Sequence, residues 1–145
     1  MTSIAEQILE NVKATLDLVS TSGGYGNDLE ASRPDQVVNP WSDLGAVVAK
    51  GDLVPVEGIL GFQTWDMPIT VSVGIITAES YDGDTHETRI NSAIADVYRA
   101  LLEDETRGGL AIWTQPGTHE TTENGVAVPF TIRFRHTFGN PFSQT

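Results

Sequence analysis

Two long stretches of alternating apolar and polar residues constrain the fold of this chain most strongly. From Trp65 to Ile75 every second residue is apolar, and the stretch from Val126 to Arg135 follows the same period. Because successive side chains of a strand point to opposite faces, each stretch predicts a β-strand with one apolar face. Pro68 and Pro129 lack the N–H group that a central strand needs, so we predict a sheet-edge position for the beginning of the first strand and for the second strand. Such edges either accept a strand from a neighbouring subunit or use proline to prevent aggregation, and the sequence leaves both explanations open.

Apolar residues at helical spacing predict two helices. Ser3 and Glu6 stand at the spacing of a capping box, and the first helix is expected over about residues 4–19, ended by the glycines of 23–26. A second helix is expected after Asp84, a candidate N-cap with Glu87 at capping-box spacing. The predicted buried stripes are Ile4, Ile8, Val12, Leu16 and Val19 in the first helix, and Ile90, Ala93, Ile94, Val97 and Leu101 in the second.

Shorter segments complete the predicted order of elements. Strands are expected near residues 29–38 and over 44–50, followed by a loop or ragged strand at 53–61. A final hairpin joins a strand over 110–113 to the second alternating stretch, through a polar loop at 114–125. The order α-β-β-β-α-β-β predicts one α+β domain over residues 1–145. Its mostly antiparallel sheet would have about four or five strands, with both helices packed on one face.

Charge and composition exclude several classes of function. Twenty acidic and eight basic residues give a net charge of -12 without a cationic stripe, so we expect no direct DNA affinity. Whether this acidity serves only solubility or also function is open. The absence of cysteine excludes disulfides, thiolate metal sites and thiol nucleophiles. Charged residues interrupt the first sixteen positions, so we expect neither a signal peptide nor a membrane span, and folding in a cytoplasm.

No motif in the chain predicts catalysis. His86 and His119 each precede a glutamate, and adjacent side chains diverge on both helices and strands, which disfavours a metal site. Residues 82–84 (DGD) are interpreted as a turn and helix cap, since the remaining ligands of a calcium loop are missing. The glycines of 23–26 lack the spacing of a phosphate loop, and no serine stands in a G-x-S-x-G motif. We therefore predict no enzyme activity, catalytic residue, metal or cofactor.

Two segments in the second half of the chain carry a more specific pattern. Residues 96–111 read DVYRALLEDETRGGLA, and residues 133–142 read RFRHTFGNPF. In this order and at this distance from the end of the sequence, they resemble the tail terminator proteins of siphophages and related tailed phages. The resemblance is good over about 65–142, fair for the first helix and weak between 27 and 60. Glu105 and Asn140 depart from the residues common in the family, although asparagine also suits a turn before proline.

The resemblance implies a structural virion protein at the junction of tail and neck. Family members form a homo-hexameric ring that caps the tail tube and stops its polymerisation. One face of the ring contacts the tail tube protein and the other contacts a head-completion or neck protein, while genomic DNA passes through without specific binding. We expect assembly in the host bacterial cytoplasm and no membrane partner. An acidic ring lumen would repel phosphates and let DNA slide.

Candidate interface residues come from the two resembling segments. They are Arg107, Arg133, Arg135, His136, Phe138, Pro141 and Phe142. Structural explanations stand beside most of them: Arg107 as part of a helix stop, Arg133 and Arg135 as a solvated strand face, and residues 138–142 as packing on the sheet. In an acidic chain, Arg133 and Arg135 would alternatively pair with carboxylates of a neighbouring subunit. For the whole protein the alternatives are another neck or minor tail protein of similar fold, or an acidic cytoplasmic regulator that binds a host protein.

Overall fold

In a computed structural model, the chain folds into a mixed β-sheet with two helices on one face. The structure describes residues 2–34, 44–75, 86–122 and 125–144. The α+β class predicted from the sequence is confirmed. The helices and strands are α1 (Ile4–Asp17), β1 (Leu29–Ser32), β2 (Leu44–Lys50), β3 (Val54–Val56), β4 (Phe62–Ile75), α2 (His86–Glu103), β5 (Trp113–Pro116), β6 (Glu120–Thr122) and β7 (Gly125–Thr137).

The sheet has seven described strands in the order β1-β2-β4-β7-β5, with β3 paired to β4 and β6 paired to β7. Among the described pairings only β1–β2 is parallel, so the expected antiparallel character is confirmed. The predicted count of four or five strands was wrong, because β3 and β6 are three-residue strands in segments of turn-like composition. The strand predicted at 110–113 begins instead at Trp113, and β5 and β6 occupy part of the predicted loop at 114–125.

Helix α1 begins at the predicted cap and ends before the glycine run. The Ser3 hydroxyl accepts a hydrogen bond from the Glu6 N–H at 3.2 Å. The helix ends at Asp17, and a 3-10 turn over Thr21–Gly23 follows it. Gly24, at φ +89°, therefore caps that turn and not the helix as predicted. The predicted cap of α2 at Asp84 and the end of the first strand region at 37–38 lie outside the described residues.

Both helices bury their apolar stripes on the same face of the sheet, as predicted. All ten stripe residues expected in α1 and α2 are buried. They form one core with alternating residues of the three central strands, among them Ala46 and Val48 of β2, Met67, Ile69, Val71 and Val73 of β4, and Val128, Phe130, Ile132 and Phe134 of β7. The core therefore lies between one helical layer and one sheet face.

The two prolines do not mark sheet edges, and that prediction was wrong. Strands β4 and β7 are central and pair with each other from Phe62↔Thr137 to Gly74↔Gly125. The Pro68 carbonyl accepts a hydrogen bond from the Gly51 N–H at 2.8 Å, and Pro129 accepts one from Gly117 at 2.8 Å. The N and O of one residue in an antiparallel strand point to the same neighbour. Each prolyl nitrogen thus faces the break between two short strands, where no ladder donor is required.

A candidate interface at one end of the sheet

The two sequence segments that carry the family resemblance meet at one end of the sheet, where β4 begins and β7 ends. The Gln144 side-chain amide donates hydrogen bonds to the carbonyls of Leu110 at 2.7 Å and Arg135 at 3.1 Å. The Ile112 N–H donates to the Arg133 carbonyl at 2.6 Å. The exit of α2, the end of β7 and the residues that follow β7 (138–144, called the closing segment) therefore form one continuous structure.

Arg107 is fully buried and serves the end of α2. Its guanidinium donates hydrogen bonds to the carbonyls of Leu101 and Asp104 and, at 3.4 Å, to the Asn11 side chain of α1. Burial lowers the pKa of Arg107, and the charge of Asp104 partly offsets this effect. The side chain satisfies carbonyls that the end of a helix leaves open. It is 0% exposed in this chain, which agrees with the helix-stop explanation and leaves no surface for a partner to contact.

The exit from α2 requires an unusual backbone. Arg107, Gly108 and Gly109 have φ values of +51°, +69° and +90°. Glycine adopts this left-handed region without steric penalty, whereas arginine does not. Asp104 braces the turn by accepting hydrogen bonds from the Thr106 hydroxyl at 2.9 Å and the Gly108 N–H at 2.8 Å. The Thr106 side-chain bond, followed by the Gly108 bond, lowers the pKa of Asp104.

Arg133 is paired within its own chain. Its guanidinium donates two hydrogen bonds to the Asp66 carboxylate, at 2.8 and 3.0 Å, across the β4–β7 pair. The same group lies 4.7 Å from the centre of the Trp113 ring. This bidentate ion pair neutralises the charge of Arg133 on the sheet face opposite the helices. The charge of Arg133 is therefore already matched before any neighbouring subunit approaches.

Arg135 keeps an unmatched charge. Its guanidinium lies 4.5 Å from the centre of the Phe62 ring, and the residue is exposed. None of the ion pairs found among the described residues includes Arg135. Stacking on an aromatic ring orients a guanidinium without removing its charge. Arg135 therefore remains available to an acidic group of a partner.

His136 lies on the helical side of the sheet and is 8% exposed. The Trp65 indole N–H donates to its Nε2 at 2.9 Å, and its Nδ1 lies 2.8 Å from the Thr137 carbonyl. Because a carbonyl only accepts, this network assigns the ring proton to Nδ1. Both ring nitrogens are thus engaged inside the chain.

The closing segment packs back on the protein through its backbone. The Phe138 N–H donates to the Gly61 carbonyl at 2.9 Å, and the Pro141 carbonyl accepts from the Ile4 N–H at 3.0 Å, at the start of α1. The Asn140 side chain accepts a hydrogen bond from the Phe142 N–H at 3.2 Å. Unlike this backbone, the two phenylalanines are exposed to solvent, Phe138 by 71% and Phe142 by 41%. The backbone of the segment is anchored while its aromatic side chains face outward.

Two exposed apolar residues next to Phe138 were not among those predicted from the sequence. Ile59 and Leu60 form the turn between β3 and β4, closed by a hydrogen bond from the Phe62 N–H to the Ile59 carbonyl at 3.0 Å. Gly61, at φ +88°, supplies the left-handed third position of this turn. Ile59 is 59% exposed and Leu60 is fully exposed. We call the surface formed by Ile59, Leu60 and Phe138 the apolar end. The available signal was an apolar pair directly before a turn glycine, where polar residues are usual.

A polar cavity of about 440 Å³ lies beside the loop after α1 and the first turns of α2, lined in part by Thr21, Asp28 and Ser92. The nearby Asp96 carboxylate accepts hydrogen bonds from Gly26 at 3.3 Å and Asn27 at 2.9 Å, which ties that loop to α2. No group of three or more His, Asp or Glu residues in the described ranges is arranged to hold a metal ion.

Within the same residues, no helix is both long and apolar enough to cross a membrane. Comparison with models of known protein families and with curated proteins gives no match for the chain.

Proposed function

We propose that this chain is a ring-forming tail terminator, a structural virion subunit that caps a phage tail tube and stops its polymerisation. On this proposal six copies surround the passing DNA at the tail–neck junction, with the tail tube protein on one face and a head-completion or neck protein on the other. The role needs complementary surfaces and no catalysis. A ring arises when the contact between copies is head-to-tail and closes on itself.

One structural observation carries this proposal beyond the sequence resemblance. Residues 110–112, at the end of the first resembling segment, are hydrogen-bonded to residues 133–144, which include all of the second segment, beside the apolar end. The pattern thus corresponds to one local structure and not to two unrelated helix and strand ends. That structure presents exposed apolar side chains, which are characteristic of surfaces that bind other proteins.

The charge of the chain fits a subunit that DNA passes without binding. With -12 per copy, a ring of six would carry a strongly negative potential. Phosphates are held at protein surfaces by cations, and among the described cations Arg133, Arg33 and Lys13 are paired with carboxylates. This electrostatic role predicts that carboxylates are denser in the lumen of an assembled ring than on its outer wall. An equal or lower density in the lumen would contradict it.

A capping assay tests the proposed function directly. Purified chain is added to tail tube protein of the same phage during polymerisation, and tube lengths are measured by negative-stain electron microscopy. We expect tubes to stop growing and to carry the chain at one end. Leu60→Ser should weaken capping if the apolar end is the docking face, and Leu18→Ser is the matched control, because Leu18 is 76% exposed at the opposite end of α1.

Deletion of the gene separates the proposal from its alternatives. Loss of a terminator should give overlong tails without heads. A different neck or minor tail protein would leave tail length normal when deleted. An acidic regulator would show neither a ring nor affinity for tubes. A hexamer by light scattering, six copies of 15.7 kDa or about 94 kDa, would support the terminator. Unchanged tube growth with no chain at tube ends would refute it.

A further inference from the structure

The apolar end is flanked by unpaired charges of opposite sign. Thr64 of β4 pairs with Val56 of β3 on one side and with Arg135 of β7 on the other. Glu57 directly follows Val56 and is exposed. Neither Glu57 nor Arg135 takes part in an ion pair found among the described residues. An acidic flank on the β3 side and a basic flank on the β7 side thus lie on either side of the β4 start.

The backbone that carries the apolar side chains of this end is held in place before any partner binds. The Ile59–Phe62 turn is closed by its own hydrogen bond, and the Phe138 N–H is bonded to the Gly61 carbonyl of that turn. The turn and the closing segment therefore support each other. Such a preorganised backbone loses little conformational freedom when a partner covers it.

We propose that a second copy of this chain covers the apolar end in a two-fold symmetric dimer. A two-fold axis perpendicular to the sheet at the start of β4 brings the acidic flank of one copy onto the basic flank of the other. Glu57 then faces Arg135 of the partner copy twice, around a centre formed by Ile59, Leu60 and Phe138 of both copies. Two-fold dimers use one self-complementary patch in this way.

Charge also favours this surface over others for self-association. Two chains of net charge -12 repel each other at most orientations. An end where an unpaired cation meets an unpaired carboxylate offsets that repulsion locally. The contact has three apolar side chains from each copy, far fewer than the residues of a standard stable interface, so we expect a weak, concentration-dependent dimer.

The dimer does not depend on a role in phage tails. It would be a state of the free subunit that hides the apolar end, and it would dissociate when another protein takes that surface. Failure of the dimer therefore leaves tube capping unaffected, and failure of capping leaves the dimer unaffected.

Sedimentation equilibrium of the purified chain across a range on the order of 10 µM to 1 mM tests the dimer. We expect the mass to rise from 15.7 kDa toward that of two copies, about 31 kDa. Leu60→Ser should weaken association about tenfold or more, while Leu18→Ser should not change it. A mass that stays monomeric across the range, or a dimer that is insensitive to Leu60→Ser, would overturn the proposal.

Charge reversal gives the sharper test, because it separates the contact from damage to folding. Glu57→Arg and Arg135→Glu should each weaken self-association, since like charges then face each other twice. The double variant should restore it, and an equal mixture of the two single variants should form heterodimers. Single reversals without effect, or a double variant that stays monomeric while its far-ultraviolet circular dichroism is unchanged, would contradict the two-fold arrangement.

Discussion

The indole N–H of Trp65 donates a hydrogen bond to Nε2 of His136 at 2.9 Å and joins the two central strands on the helical side of the sheet. These residues lie 71 positions apart in the sequence. The other ring nitrogen of His136 is bonded to the Thr137 carbonyl, at the point where β7 gives way to the closing segment. The pair therefore links the sheet to the segment that carries Phe138.

His136→Phe removes the acceptor and leaves the Trp65 N–H without its partner in a largely buried position. We expect the free energy of unfolding to fall by about 1–3 kcal/mol, measured by urea denaturation. Adding Trp65→Phe should recover part of this loss, because both partners are then apolar. Arg135→Gln, at the next and exposed position, is the control and should change stability by less than about 0.5 kcal/mol. Equal losses for His136→Phe and Arg135→Gln would show that the bond contributes nothing.

Arg107 combines a buried cap with a left-handed backbone, and two substitutions separate these effects. Arg107→Ala removes the hydrogen bonds to the α2 carbonyls and should destabilise the fold by about 2–4 kcal/mol. Arg107→Gly loses the same bonds but relieves the backbone at φ +51°, so it should be less destabilising by about 1 kcal/mol. Urea unfolding midpoints measure both. Alanine and glycine variants of equal stability would show that the backbone conformation carries no penalty.

Asp104 makes stability depend on pH in the acid range. Its pKa is lower in the folded chain than the ordinary 3.8, because the Thr106 side chain and the Gly108 N–H donate to the carboxylate. The folded state therefore favours the ionised form, so the stabilisation is complete above the unfolded pKa and is lost as pH falls through the folded one. Asp104→Asn should remove this component. The stability difference between wild type and variant should shrink as pH falls below about 4, as measured by urea unfolding at several pH values. A difference independent of pH would contradict the ionised carboxylate.

Gly125 of β7 has no room for a side chain beside β4. A Cβ atom there would overlap the Val73 carbonyl oxygen and lie 3.0 Å from Gly74 Cα. Backbone cannot move aside as a side chain can, so Gly125→Ala should destabilise by about 3 kcal/mol or more, or prevent folding. Gly109→Ala is the control, since that position is open but left-handed, and should lose about 1 kcal/mol. Thermal unfolding distinguishes the two, and equal melting temperatures would contradict the predicted clash.

Sequence periodicity was sufficient for the helices and the long strands. The stripes of α1 and α2, the alternation of β4 and β7, and the bounds of β2 all agree with the structure. The stripes and the alternations each repeat within a single helix or strand region, and burial of one face is enough to select them. Three-residue strands such as β3 and β6 carry no such repeat. They form because a long neighbouring strand offers backbone hydrogen-bond partners. Since this pairing needs no apolar pattern, their sequences resemble those of loops.

The interface candidates divide along the same line. The sequence predicted that they lie in two segments, but it did not predict which contacts each side chain makes. Arg107 and His136 have the residue types of surface contacts, yet their polar groups are engaged inside the chain. Arg133 finds Asp66 only because β4 and β7 pair in one register. No sequence pattern identifies Leu60 as an exposed residue, because its exposure follows from its place in a tight turn.

The two alternating stretches of the sequence determined that β4 and β7 are strands with one apolar face, because a period of two is a local property of the chain. Their place in the sheet was decided by tertiary structure alone. Pro68 and Pro129 lack a donor on any strand, and the sequence shows the missing N–H but not what lies opposite. The breaks between β2 and β3 and between β5 and β6 face those nitrogens, so the centre of the sheet accepts both prolines. Hydrogen-bond partners distant in sequence, and not residue type, decide whether a proline marks an edge.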